Sequence, residues 1–203
     1  VFPDQFFDTL GQWAQGNLGV SWSLRRPVSE VLMSKLWNTV LLIGLGQLLS
    51  VIFGVILGLL AGWKRKTAID VGALTFSLIA WAIPTFWPGI LLLAEGSTWF
   101  GLPTGGIVSP INVGKPLYTV IPDVARHLIL PTFTLTILYL GEYMLIMRSS
   151  ILEVLSEDYI LTAKAKGMSH WQVLWRHALK NAMLPIVTLI ALNLGFTVSG
   201  AIY

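Results

Sequence analysis

Leu36 through Gly62 contains no charged residue. At 1.5 Å per helical residue that run reaches about 40 Å, enough to cross a ~30 Å hydrocarbon core with some tilt. In lipid, a lone spanning segment satisfies its own backbone only as a helix, so this one stretch commits the chain to a helical membrane architecture. The remainder has the same character, with 55% hydrophobic and 11% charged residues, outside the range of ordinary soluble domains. A second apolar run covers about 71–94, a third about 129–147, and a fourth opens near 182 and is still running at 203. The predicted fold is all-α, a polytopic transmembrane bundle with about four visible spans. An extracytoplasmic segment, 1–35, precedes a transmembrane region, 36–203. The chain opens on Val1 with no signal-peptide pattern and stops inside an apolar run, so it reads as a fragment.

Lys and Arg near span ends mark cytoplasmic loops. Lys64, Arg65 and Lys66 crowd one short loop, and Arg148, Lys164, Lys166, Arg176 and Lys180 occupy the segment between the third and fourth runs. Parity puts both on one side, which makes loops 63–70 and 149–181 cytoplasmic. The opposite side carries the longer "WFGLPTGGIVSPINVGKPL" loop, whose Gly and Pro content predicts irregular structure.

Several chemistries are excluded. There is no cysteine, which removes disulfides and thiolate sites, and His127, His170 and His177 are too scattered to hold a metal. No nucleophile with a base and no carboxylate pair presents itself, so neither a catalytic residue nor a cofactor is expected. A phosphate-cradling loop needs two glycines five residues apart before Lys-Ser/Thr; the Gly114-Lys115 pair has Ser109 at the first position and Pro116 after it. A net charge of +3, borne by residues flanking apolar spans, points to membrane lipid as the surface met and to no nucleic acid.

The charged segment is built as two short helices. Ser156, Glu157 and Asp158 suit the start of the first, Lys164 and Lys166 its last turn, and Gly167 the left-handed position that ends it. Ser169 with Gln172 forms a capping box for the second. Trp171, Leu174, Trp175, Ala178, Leu179 and Ala182 make its apolar stripe, and Gln172, Arg176, His177, Lys180 and Asn181 its polar side, before Pro185 and a new span. Thr162, Ala163, Ala165 and Gly167 form a small-residue surface on which another protein can pack closely. The alternative is a helix that only lies on lipid.

Elsewhere, Gly54, Gly58 and Gly62 recur every fourth residue, a face that a second helix can approach closely. Pro84 and Pro88 interrupt the second run as a hinge or as a fixed kink. Glu142 sits inside the third run, six residues from Arg148, and either lines a pathway or is solvated near the headgroups. Gln47 and Asn193 read as interhelical hydrogen-bonding residues first, with Asn193, Glu142 and Pro84 the candidates for a pathway.

"EDYILTAKAKGMSHWQVLWRHALKNAMLP" resembles the cytoplasmic loop of binding-protein-dependent ABC importer permeases, in the form used by the dipeptide/oligopeptide/nickel branch. The matching positions are Asp158, Tyr159, Thr162, Ala163, Lys164, Ala165, Lys166, Gly167, Arg176, His177, Asn181, Ala182 and Pro185. Leu161 departs, since an Arg is usual there. "GNLGVSW", "LPTGG", "MRSSILEVL" and the span from Asn38 to Asp70 are also similar to that family. The resemblance implies an inner-membrane permease subunit that forms the translocation pathway, with Asp158 to Gly167 docking on an ATPase and Arg176, His177, Asn181 and Pro185 fastening the loop. It implies a second homologous permease subunit, cytoplasmic ATP-binding subunits and an extracytoplasmic solute-binding protein as partners. The cargo it implies is peptide, oligosaccharide or nickel. A stand-alone channel or secondary carrier is the rival reading, and it has no use for a docking segment.

Overall fold

The computed structural model describes residues 2–84 and 86–200; the last three residues of the expected fourth span, 201–203, lie outside the described residues. Helix α1 (Phe2–Ala14) precedes α2 (Val28–Trp63), α3 (Ala68–Ala82), α4 (Phe86–Phe100), α5 (Leu117–Val154), α6 (Asp158–Ala165), α7 (His170–Val173) and α8 (Leu179–Gly200). A 3-10 turn, Pro110–Asn112, lies in the α4–α5 loop, and a π-helical turn, Leu174–Ala178, joins α7 to α8. Among the described residues every regular element is helical.

The axis of the fold is the α2–α5 pair. Gly46 lies against Leu135, Gly54 against Tyr143, Gly58 against Met144 and Met147, and Gly62 against Ile151 and Arg148. Numbers rise together, so the two helices are parallel and both C-terminal ends meet at one end of the bundle. The glycine face expected from the four-residue spacing is thus the seat of α5. A Cβ at Gly58 would stand 2.5 Å from the Met144 carbonyl oxygen, closer than real atoms approach.

Parallel neighbours require a complete return crossing between them, and α3 with α4 supplies it. Asp70 pairs with Arg148, Ser77 and Ala80 pack on Gly141, Gly89 on Thr134 and Gly96 on Leu130. These partners descend α5 from Arg148 to Leu130, roughly 27 Å of helix. Although α3 and α4 are bent by 96°, together they run the length of this stretch of α5; with them counted as one broken span, the described residues hold up to four helices or helix pairs long and apolar enough to cross a membrane. Pro84 stands at the break; Pro88 lies in the first turn of α4, where its missing N–H removes no helical bond.

The helices overrun the apolar limits. The first starts at Val28, not 36, and α5 runs from Leu117 to Val154 rather than 129–147, shortening the irregular α4–α5 loop to about 101–116. Charge-free length measures the thickness of oil, whereas a helix continues into water until its bonding or packing ends. The fourth span likewise does not begin anew at 182: α7, the π turn and α8 are continuous, with Pro185 inside α8. One proline removes a single bond, that to the Asn181 carbonyl, and Asn181 is exposed, so the helix persists. Helix α1, with Phe6, Phe7, Leu10 and Trp13 exposed, has no counterpart in the sequence expectation.

Candidate functional site

The charged segment closes the end of the bundle where α2 and α5 terminate. Helix α6 ends as foreseen: Gly167 has φ +80°, the Met168 N–H donates to the Ala163 carbonyl at 3.4 Å and the Gly167 N–H to the Lys164 carbonyl at 3.0 Å. This is the paired bonding of a Schellman motif. The next helix opens on the expected capping box, with the Gln172 N–H donating to Ser169 Oγ at 3.3 Å and the Ser169 N–H to Gln172 Oε1 at 2.9 Å.

One face of α6 is built into the protein. Ile160 and Ala163 are buried in a cluster with Met147, Ile151, Val173, Leu174, Ala178, Ala182 and Ile186. Ala163 is therefore an anchor and not part of an external small-residue surface, because i and i+3 share the inward side. Asp158, Tyr159, Leu161, Thr162, Lys164, Ala165, Lys166 and Gly167 are exposed. The second helix also turns differently from its wheel. Leu174, Ala178 and Ala182 are buried as expected, but Trp171 and Trp175 are 66% and 58% exposed. Amphipathic indoles belong at the membrane–water boundary rather than among closely packed alanines.

Asn181 Nδ2 donates to Tyr159 Oη at 2.6 Å, tying α8 to α6. Tyr159 thus sits among the fastening residues as well as in the docking run. Pro185 lines a shallow cleft with Tyr159 and Asn181. Arg176, exposed, and His177, half-buried, make no hydrogen bond or ion pair among the described residues. Because a Cβ at Gly167 would meet nothing within 4 Å, the cost of Gly167→Ala is confined to its left-handed backbone. That is about 1–2 kcal/mol. Amide exchange is expected to quicken across 158–173 in this variant while the α5 core stays protected; equal loss of protection in α5 would refute the local assignment.

Two polar clusters could not be assigned from sequence. Arg148 Nε donates to Asp70 Oδ1 at 2.5 Å and Nη2 to Oδ2 at 3.1 Å, while the Lys66 N–H donates to Oδ2 at 2.9 Å. The carboxylate is 5% exposed and locks the first charged loop to the end of α5. In mid-bundle, Gln47 Nε2 and Asn193 Nδ2, the latter at 3.1 Å, both donate to the fully buried Tyr143 Oη, joining α2, α5 and α8. Asn193 is engaged in that junction. Glu142 lies half-buried in a cleft of about 170 Å³ beside Ser77 and Trp81, and its side chain makes no hydrogen bond or ion pair among the described residues. No group of His, Asp and Glu able to hold a metal occurs among the described residues.

Residues 54–203 match the family model described as binding-protein-dependent transport system inner membrane component. The chain is 36% identical over 203 residues to the oligopeptide transport system permease protein of Bacillus subtilis, covering 98% of this chain and 62% of that one. It is 34% identical over 212 residues to the di/tripeptide transport system permease protein of Pseudomonas aeruginosa, covering 98% and 63%. Against the dipeptide transport system permease protein of Escherichia coli K12 it is 36% identical over 204 residues, covering 92% and 60%. The chain thus spans about three-fifths of the length of these relatives.

Proposed function

Since this chain belongs to the binding-protein-dependent transport system inner membrane component family, we propose that it is a translocating subunit of an ATP-driven peptide importer, coupled through residues 158–167 to a separate ATPase. The similar permeases named for oligopeptides, di/tripeptides and dipeptides favour peptide over oligosaccharide or nickel as cargo. In this reading residues 63–70 and the end carrying α6 face the cytoplasm, the N-terminal residues and the α4–α5 loop face outward, and the spans operate in the inner membrane. A second homologous permease, two ATP-binding subunits and a solute-binding protein complete the machine.

The observation that carries the reading is the half-embedded α6. Its inner face, Ile160 and Ala163, is continuous with the core of α5 and α8, while its outer face is free. A push on that outer face reaches the spans through packed side chains rather than through a slack linker. Coupling then consists in the ATPase contacting α6 differently in inward- and outward-facing states, because only a differential contact shifts the equilibrium. Glu142 extends the reading: an unpaired carboxylate among apolar neighbours requires water or a partner, so the Ser77–Glu142 flank lines the aqueous path.

The test uses the absence of native cysteine. Cysteines placed singly at Leu161 and Ala165 in the complete, transport-active complex are expected to cross-link to the ATPase subunit in a nucleotide-dependent manner, and one at Trp171 is not. Labelling of Leu161 and Ala165 positions by lipid-phase reagents alone, in a complex that takes up peptide, would sink the coupling role.

A further inference from the structure

At the end opposite α6, the "LPTGG" loop, residues 102–106, covers a cavity of about 310 Å³ between α2, α4 and α5. His127 lines it, with its side chain only 4% exposed. Nδ1 lies 2.8 Å from the Asp123 carbonyl oxygen. A carbonyl only accepts, so Nδ1 carries the hydrogen, and in the neutral ring Nε2 is left as an acceptor. Among the described residues nothing bonds to Nε2. Pro131, four residues on, also lines the cavity.

The loop above is rich in unused main-chain groups. No backbone N–H of residues 102–108 donates a hydrogen bond among the described residues. The loop is nevertheless held in place at both ends, by Arg126 Nη2 donating to the Gly101 carbonyl at 3.2 Å and by the Ser109 N–H and Oγ donating to Asp123 at 2.6 and 2.8 Å. Three residues of one helical turn, Asp123, Arg126 and His127, thus fix both the lid and the acceptor beneath it.

We propose that this cavity is a subsite for the N–H donors of a short peptide, with His127 Nε2 accepting from the peptide's terminal ammonium or from an internal amide while the 102–106 main chain flanks it. The proposal rests on the peptide-importer reading. Its volume suits a fragment of one or two residues, at the small end of ligand cavities, and an extended peptide offers the N–H groups that His127 Nε2 lacks.

The experiment is uptake by the complete transporter in proteoliposomes, comparing a free dipeptide with its N-acetylated form. His127→Phe is expected to raise the apparent KM about tenfold, the loss of one hydrogen bond to a charged or amide donor, and His127→Gln, which retains an acceptor, to restore part of it. Gly105→Leu is an independent variant: Gly105 lines the cavity, and a Cβ there meets nothing within 4 Å with an ordinary φ, so a side chain is accommodated at the cavity wall, where a similar rise in KM is expected. If the ammonium is the donor, the acetylated peptide is indifferent to His127→Phe; if an amide is, both peptides lose equally. KM values within twofold of the parent for His127→Phe and Gly105→Leu with both peptides would overturn the subsite and leave the importer reading standing. A parent complex that moves no peptide but moves sugar or nickel would overturn both.

Discussion

Arg148→Ala is expected to destabilise the bundle by about 3–5 kcal/mol, the cost of leaving a buried carboxylate without its partner. Asp70 is 5% exposed and takes donors from Arg148 and from the Lys66 backbone. Removing the guanidinium leaves one N–H for a charge buried in the protein. The pair as a whole is worth far less than its breakage, because both ions were desolvated to make it. The double variant Asp70→Leu/Arg148→Met is therefore expected to regain most of the loss, short by about 1 kcal/mol for the Lys66 N–H left unbonded. Thermal unfolding of the detergent-solubilised transporter measures both variants. An Arg148→Ala protein as stable as the parent would show that water reaches Asp70 and that the lock is superficial.

Gly58→Leu is the second large effect. The added Cβ alone would stand 2.5 Å from the Met144 carbonyl oxygen and 2.8 Å from Met147 Cβ. One of those atoms is backbone inside α5, so relief requires the helices to part, at a cost of ~3 kcal/mol or more, the upper end of overpacking. Gly44→Ala on the same helix is the control: its Cβ meets nothing within 4 Å, and the change is expected to lie within about 1 kcal/mol of neutral. Assembly measured by size-exclusion of the solubilised complex should fail for Gly58→Leu and survive for Gly44→Ala. Equal behaviour of the two would mean that α2 and α5 do not pack as described.

The two variants bear on function through the same geometry. Glycines at 54, 58 and 62 bring α2 onto α5, and the Asp70–Arg148 lock adds α3 at the end where α6 is embedded. In the importer proposed above, a displacement of α6 would be delivered to three helices at once. Loosening either contact should weaken coupling before it abolishes membrane insertion, since insertion depends on apolar length and not on interhelical fit.

Local order set what was legible in the sequence. The helical, membrane-type character follows from oil-sized runs without charge. The Schellman end at Gly167 and the capping box at Ser169 follow from residues within six positions of each other, and the family follows from the motif they belong to. The four-residue glycine spacing announced a close helix contact because period and helical pitch agree. None of these depends on where the chain goes next.

Tertiary structure alone decided the rest. Asp70 and Arg148 are 78 positions apart, and nothing local in either segment names the other. Tyr143 gathers Gln47 and Asn193 from two other helices only because α2 runs parallel to α5. Ala163 and the two exposed tryptophans changed sides because a helical wheel says which residues share a face but not which face meets protein. Periodicity and caps are written in neighbouring residues, whereas pairing depends on rigid helices meeting across the bundle, and that meeting is settled by packing over the whole chain.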